Sequence, residues 1–322
     1  MAKPKLGCTY RMENHKTIIK KCLLTICFLF CSTKGVAFNK DSNGWIPFDG
    51  EGGNIVLNVT MNAQPAKVLL DTGASIHTLT SKMAEKANIS SNHARAITLI
   101  GLNGKVKAPL SGTFDLAADG QIFSLRDIPI IQGSHSFDMI LGRTFFEQSV
   151  VQVDYPNQRI RFLDSDAVNF NSNVEVRYDL SGRLLIESYI KGNKGWMLLD
   201  TGSNTFAVLK RDFVFQNDLD EFALGVGELE VAGISETGEF NVIELDDFKL
   251  GPYRFDSFVA SYNKNYQNSL DSKTRRVYSR IPVDNSILDG ILGYDILKNF
   301  IVTFDYSKKK IHLYLPQPQA AE

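Results

Sequence analysis

Leu69-Leu70-Asp71-Thr72-Gly73 and Leu198-Leu199-Asp200-Thr201-Gly202 decide how this chain is read. The same five residues occur twice, and the aspartates lie 129 positions apart, the difference between 200 and 71. At that offset the seventeen residues before each aspartate align without a gap. In the first copy Ile55, Leu57, Val59 and Met61 alternate with Val56, Asn58 and Thr60; in the second Leu184, Ile186, Ser188 and Ile190 alternate with Leu185, Glu187, Tyr189 and Lys191. A period of two predicts a strand with one buried face. Asn62 to Pro65 and Gly192-Asn193 then supply turn chemistry. Short apolar strands follow, Lys67 to Leu70 and Trp196 to Leu199, so each half opens on a hairpin that delivers an aspartate at its end.

The pattern returns further on. Asp138-Met139-Ile140-Leu141-Gly142 matches Asp289-Gly290-Ile291-Leu292-Gly293, now at an offset of 151, the difference between 293 and 142. One or two helical turns come next in each copy, Arg143 to Ser149 and Tyr294 to Phe300. The strand Val150 to Tyr155 then matches Ile301 to Tyr306, and Ile160 and Phe162 match Ile311 and Leu313. The second copy is therefore longer, and the polar, aperiodic stretch Tyr262 to Ser286 is the expected insert. Ser81 to Ala87 and Lys210 to Phe215 are the other helix candidates. This is a repeat of whole lobes and not a short-period solenoid. The expected architecture is all-β, with few short helices and two similar lobes related by a pseudo-twofold axis. One lobe spans 45–163 and the other 174–315, with the polar, Asn-rich 164–173 as linker.

The first residues, 1–37, read as an export signal or an N-terminal anchor. Lys16, Lys20 and Lys21 precede the apolar run Cys22 to Cys31, and Gly35-Val36-Ala37 offers small residues for cleavage; Met12 is an alternative start. The run is short for a bilayer span. All four cysteines, Cys8, Cys22, Cys27 and Cys31, lie inside it, so the segment beyond has no disulfide, thiol nucleophile or cysteine metal site. Export without cysteine points to a bacterial periplasm. Of the chain's 35 basic and 36 acidic side chains, seven and one belong to the leader, which leaves the remainder seven charges negative. That balance, with Lys308-Lys309-Lys310 as its sole basic run, argues against a nucleic-acid partner. With Trp45 so close behind the leader, no propeptide is expected.

Two carboxylates on matching loops can share one proton, so that one activates water while the other protonates a substrate. Two similar lobes can pack about a pseudo-twofold axis, as in a symmetric dimer, and bring the loops face to face. Gly73 and Gly202 permit a turn that a side chain would block and expose an amide to the carboxylate. The hydroxyls of Thr72 and Thr201 can bond backbone across the interface. A loop aspartate by itself is more often structural; the duplication tilts the balance.

The chain resembles the aspartic proteases of the pepsin–retropepsin clan, in particular bacterial exported forms with two retropepsin-like domains in one chain. The resemblance runs through both lobes: hairpin, Asp-Thr-Gly, a glycine-bearing flap, then hydrophobic-hydrophobic-Gly. It implies that Asp71 and Asp200 are a catalytic dyad holding the attacking water, supported by Thr72, Gly73, Ala74, Thr201, Gly202 and Ser203. It implies that Ile140-Leu141-Gly142 and Ile291-Leu292-Gly293 pack beneath the loops. Flaps that grip substrate are expected near Gly101, Leu102, Asn103 and Gly104, and near Gly233 and Ile234. No metal or cofactor is implied, and a monomer acting on a protein or peptide is expected.

One asymmetry bears on acidity. Ala74 follows the first triplet and Ser203 the second. A hydrogen bond from Ser203 would favour the charged form of Asp200, so Asp200 is expected to ionise more readily and activity to extend to less acidic pH than in pepsin-like enzymes. His77 reads as a packing histidine, because no nucleophile elbow accompanies it. His93, His135 and His312 lack metal-ligand spacing. Asp154 and Asp305 read as turn stabilisers. Two other functions remain open: a non-catalytic exported peptide- or protein-binding protein that keeps the fold, and a two-carboxylate hydrolase such as a glycosidase.

Overall fold

The computed structural model describes residues 43–101, 104–118, 121–133, 135–164, 168–229, 238–263 and 288–316. The expected leader at 1–37 lies outside them, as does nearly all of the insert; Tyr262, its first residue, closes a strand and is buried.

The repeated hairpins form as the alternation requires. Ile55–Met61 pairs antiparallel with Gln64–Leu70, and its Ile55, Leu57, Val59 and Met61 point into the core. Leu184–Ile190 pairs with Asn193–Leu199. Both turns are tighter than the sequence suggests. Asn62 and Ala63 (φ 43° and 64°) make the first, and Lys191 and Gly192 (φ 47° and 78°) the second. Positive φ at both central residues matches the twist of the flanking strands, so each second strand begins earlier than Lys67 or Trp196. Leu185, on the outer face, is also buried, in a small cluster with Trp196, Leu198 and Leu288.

Each hairpin seeds a larger sheet. The first runs, in spatial order, through Gln121–Leu125, Phe114–Ala118, Ile55–Met61, Gln64–Leu70, Met139–Leu141, Thr78–Thr80 and Ile130–Ile131. In the second, Asn193–Leu199 lies between Leu184–Ile190 and Gly290–Leu292. The short helices Ser81–Lys86, Arg143–Phe146, Arg211–Gln216 and Tyr294–Leu297 fall on the candidates. The molecule is all-β with two curled, half-barrel lobes. The hairpin Ser91–Gly101/Gly104–Ser111 stands as a separate ribbon in the first lobe, and Ala223–Leu229/Gly238–Leu245 is joined to the main sheet of the second.

A five-stranded sheet joins the lobes, ordered Ile46–Pro47, Arg159–Leu163, Val150–Asp154, Ile301–Asp305, Lys310–Tyr314. At its centre Gln152 pairs with Thr303, residues separated by the repeat offset of 151, and Gln152 Nε2 donates to Thr303 Oγ1 at 2.8 Å. A residue that faces its own repeat partner lies on the pseudo-twofold axis. One continuous core runs through both lobes and this sheet. The described part of the linker, 168–173, is tied to the last strand. Lys310 Nζ donates to the Phe170 carbonyl, and Asn173 exchanges hydrogen bonds with Leu313 at 2.7 and 2.9 Å. Asp154 and Asp305 stabilise turns: Asp154 accepts from Asn157 and from Arg159 Nε, and Asp305 accepts from Ser307 Oγ and the Lys308 amide.

Candidate active site

The two aspartate loops meet on that axis. Met139–Leu141 runs parallel to Gln64–Leu70, with Leu141 beside Leu70, and the Asp71 amide continues the ladder by donating to the Leu141 carbonyl at 3.1 Å. The second lobe repeats this: Leu292 lies beside Leu199, and the Asp200 amide donates to the Leu292 carbonyl at 2.9 Å. Thus the Ile-Leu-Gly strands flank the aspartate strands edge to edge. Their glycines then pass against the loops. A methyl on Gly142 would sit 2.6 Å from the carbonyl oxygens of Ala74 and Ile76, and one on Gly293 2.7 Å from that of Ser203. The following amides close the contact, Arg143 to the Ala74 carbonyl and Tyr294 to the Ser203 carbonyl. Asp138 and Asp289 open these strands, each accepting from the facing backbone amide, Lys67 at 2.8 Å and Trp196 at 2.9 Å.

Four reciprocal hydrogen bonds lock the loops together. Thr72 Oγ1 donates to the Leu199 carbonyl at 2.6 Å, and Thr201 Oγ1 to the Leu70 carbonyl at 2.7 Å. In return the Thr72 amide donates to Thr201 Oγ1 at 3.1 Å and the Thr201 amide to Thr72 Oγ1 at 3.0 Å. Both threonines are buried, so water cannot replace these partners. Gly73 and Gly202 are each pressed against the opposite aspartate. A methyl on Gly73 would lie 2.5 Å from Asp200 Cγ, and one on Gly202 2.6 Å from Asp71 Cγ.

The lattice brings the two carboxyl groups into hydrogen-bonding contact with each other. Asp71 Oδ1 accepts from the amides of Gly73 (2.7 Å) and Ala74 (2.9 Å), and Asp200 Oδ1 from that of Gly202 (2.8 Å). Both side chains keep a partly exposed surface, which leaves them accessible to solvent and ligand. Burial, then the charge of Asp200 and the bond to it, push Asp71 well above the usual carboxylate range. Asp200 is also raised by burial. Its hydrogen bond from Asp71, backbone amides and the positive charge of Arg183 oppose that rise. Two acids held this closely titrate as a coupled pair, giving up their protons in two separate steps.

Ser203 does not play the part expected of it. Its hydroxyl bonds Thr205 Oγ1 at 3.0 Å and packs against Gly293, not against the Asp200 carboxyl. The cation that favours ionised Asp200 is Arg183, which sequence reasoning passed over. His77 is a packing histidine with a specific task. Nδ1 accepts from the Gly142 amide at 3.0 Å and Nε2 lies 3.0 Å from Thr144 Oγ1, while burial pushes the imidazole down from 6.5 to about 4. Of the flap positions, Gly101 and Gly104 face each other as the last backbone pair of the first-lobe ribbon. Leu102, Asn103, Gly233 and Ile234 lie outside the described residues.

Residues 57–148 match a family model described as "gag-polyprotein putative aspartyl protease". The matched stretch begins in the first hairpin, includes the Asp71 loop and ends just after helix Arg143–Phe146. The match supports a retropepsin-like aspartyl protease domain over those residues. A search of curated proteins finds no match to the chain.

Proposed function

We propose that this chain is an aspartic endopeptidase in which Asp71 and Asp200 together activate one water molecule. The observation that carries the reading is the direct contact between the two carboxyls on the symmetry axis, fixed from below by the threonine lattice. With one carboxylate ionised and one protonated, the ionised group takes a proton from water as its oxygen attacks the peptide carbonyl. The protonated group gives its proton to the carbonyl oxygen, and a tetrahedral gem-diol forms. In the reverse relay, the first group passes its proton to the amide nitrogen while the second recovers one from the diol. The C–N bond then breaks, leaving a carboxylic acid and an amine.

An extended peptide would bind as an added strand in the cleft, with the first-lobe ribbon that Gly101 and Gly104 close as its cover. Both aspartates come from one chain, which supports a monomer as the active species. We assign its workplace outside the cytoplasm, on the reading of residues 1–37; N-terminal sequencing of protein recovered from a periplasmic extract tests that. The activity test is digestion of a denatured protein across a pH series, with and without a statine-type inhibitor, by wild type, Asp71→Asn and Asp200→Asn. Inhibitor-sensitive cleavage lost in both variants is expected. Full activity in either variant, or intact polypeptide after long incubation with wild type, refutes the proposal, the latter in favour of a peptide-binding protein.

A further inference from the structure

The repeat is broken at one place that matters to the dyad. At the offset of 129, Gly53-Asn54 corresponds to Gly182-Arg183, and at 151 Arg143 corresponds to Tyr294. Both glycines have positive φ (82° and 77°) and press each lobe's first strand against the other lobe's helix. A methyl on Gly53 would sit 2.6 Å from Tyr294 Cδ1, and one on Gly182 2.8 Å from Arg143 Nη1. The scaffold is the same on the two sides; the side chains differ in charge.

Arg183 is mostly buried, with 17 % of its side chain exposed. One end of the guanidinium is held by Asp179, at 2.8 Å from Nε and 2.6 Å from Nη2. The other end crosses between lobes, Nη1 donating to the Gly73 carbonyl at 2.9 Å. Gly73 is the residue pressed against the Asp200 carboxyl. The corresponding Asn54 is neutral, and its buried Oδ1 finds no partner among the described residues. The other ionisable groups near the dyad do not restore the balance. Arg143 is paired with Glu147. Tyr155 and Tyr306 are buried within reach of the dyad's charge and pushed up, chiefly by burial, and burial lowers the His77 imidazole to about 4. Asp179 offsets part of the Arg183 charge from its far side.

We infer that Arg183 is a positioning residue that breaks the symmetry of the dyad, holding the negative charge on Asp200 and the shared proton on Asp71. Asp200 is then the base that deprotonates water and Asp71 the acid that protonates the carbonyl oxygen. The same charge favours loss of the first proton and so sets the low-pH edge of activity. This deepens the proteolytic reading and rests on it for the catalytic roles; the location of the proton does not.

Two measurements decide it. In Arg183→Gln the acid limb of kcat/KM moves up by about one pH unit, as expected when a carboxylate loses a nearby cation, while KM changes less than twofold; Arg183→Lys restores at least half of the shift. A merely structural role lowers kcat at every pH and leaves the limb in place, and that result overturns the inference. Independently of turnover and of how the Arg183 variants fold, wild-type protein labelled with ¹³C at aspartate Cγ is titrated by NMR, with Asp71→Asn and Asp200→Asn for assignment. Asp200 is expected to ionise first. If Asp71 ionises first, or the two move together, the inference fails even where proteolysis is seen. If no proteolysis is seen, the proposed function fails while the titration still locates the proton.

Discussion

Replacing Thr201 by valine keeps the shape of the side chain and removes its hydroxyl, so it isolates the hydrogen bonds of the threonine lattice. Two are lost: Thr201 Oγ1 to the Leu70 carbonyl, and the Thr72 amide to Thr201 Oγ1. Leu70, Thr72 and Thr201 are each 0–1 % exposed, so water cannot replace the lost partners. At about 1–3 kcal/mol for each buried group left unpaired, Thr201→Val costs about 2–6 kcal/mol. Thr201→Ser keeps both bonds and gives up one buried methyl, about 1 kcal/mol. Urea unfolding followed by tryptophan fluorescence is the assay, because buried Trp45 adjoins the five-stranded sheet and buried Trp196 lies in the second-lobe sheet. With a slope of about 3 kcal/mol per molar urea, the valine midpoint falls by about 0.7–2 M. Activity, if the dyad is catalytic, falls at least tenfold, since small misplacements of reacting groups are costly. The reasoning is refuted if Thr201→Val unfolds within about 0.5 kcal/mol of wild type, or if Thr201→Ser costs as much as valine.

Other perturbations test the electrostatics. The folded-state value of His77 is depressed from 6.5 to about 4, so the unfolded chain binds the extra proton first and wild type loses stability as pH falls from 6.5 towards 4. The gap corresponds to about 3 kcal/mol at 1.36 kcal/mol per pH unit. His77→Asn keeps an acceptor for the Gly142 amide and cannot charge, so its stability relative to wild type should rise by up to that amount across the interval; a pH-independent difference in urea midpoints contradicts this. Asp71 and Asp200 have the opposite sign. Their folded values are raised, so their contribution is fully present below the unfolded carboxylate range and is lost as pH rises through the folded values. Asp200→Asn should therefore melt about 2 °C above wild type at pH 7, roughly 0.5–1 kcal/mol for a chain of this size, with the gap closing near pH 3. Differential scanning calorimetry at both pH values checks this, and a variant that melts below wild type at pH 7 would falsify it.

What the sequence makes legible is whatever period and repetition control. Alternation at Ile55 to Met61 gives the buried face directly, because a strand has only two faces to choose between. The offset of 129 sets Thr72 against Thr201 before any coordinates; that the offset of 151 also marks a facing pair, Gln152 and Thr303, emerges only from the structure. What escapes is whatever depends on side-chain direction across the lobe interface. Ser203 follows the triplet as a potential donor, yet a rotamer chosen by Thr205 and Gly293 turns it away. Arg183 stands 17 residues before Asp200 in an ordinary strand approach, and its partner carbonyl is Gly73, 110 positions upstream. No local pattern encodes that contact. Comparing the two copies position by position does expose it, because the repeat that aligns Gly53 with Gly182 also sets Asn54 against Arg183. In a duplicated fold, matching positions build the scaffold, and a charge present on one side alone is where two chemically identical carboxylates become distinguishable.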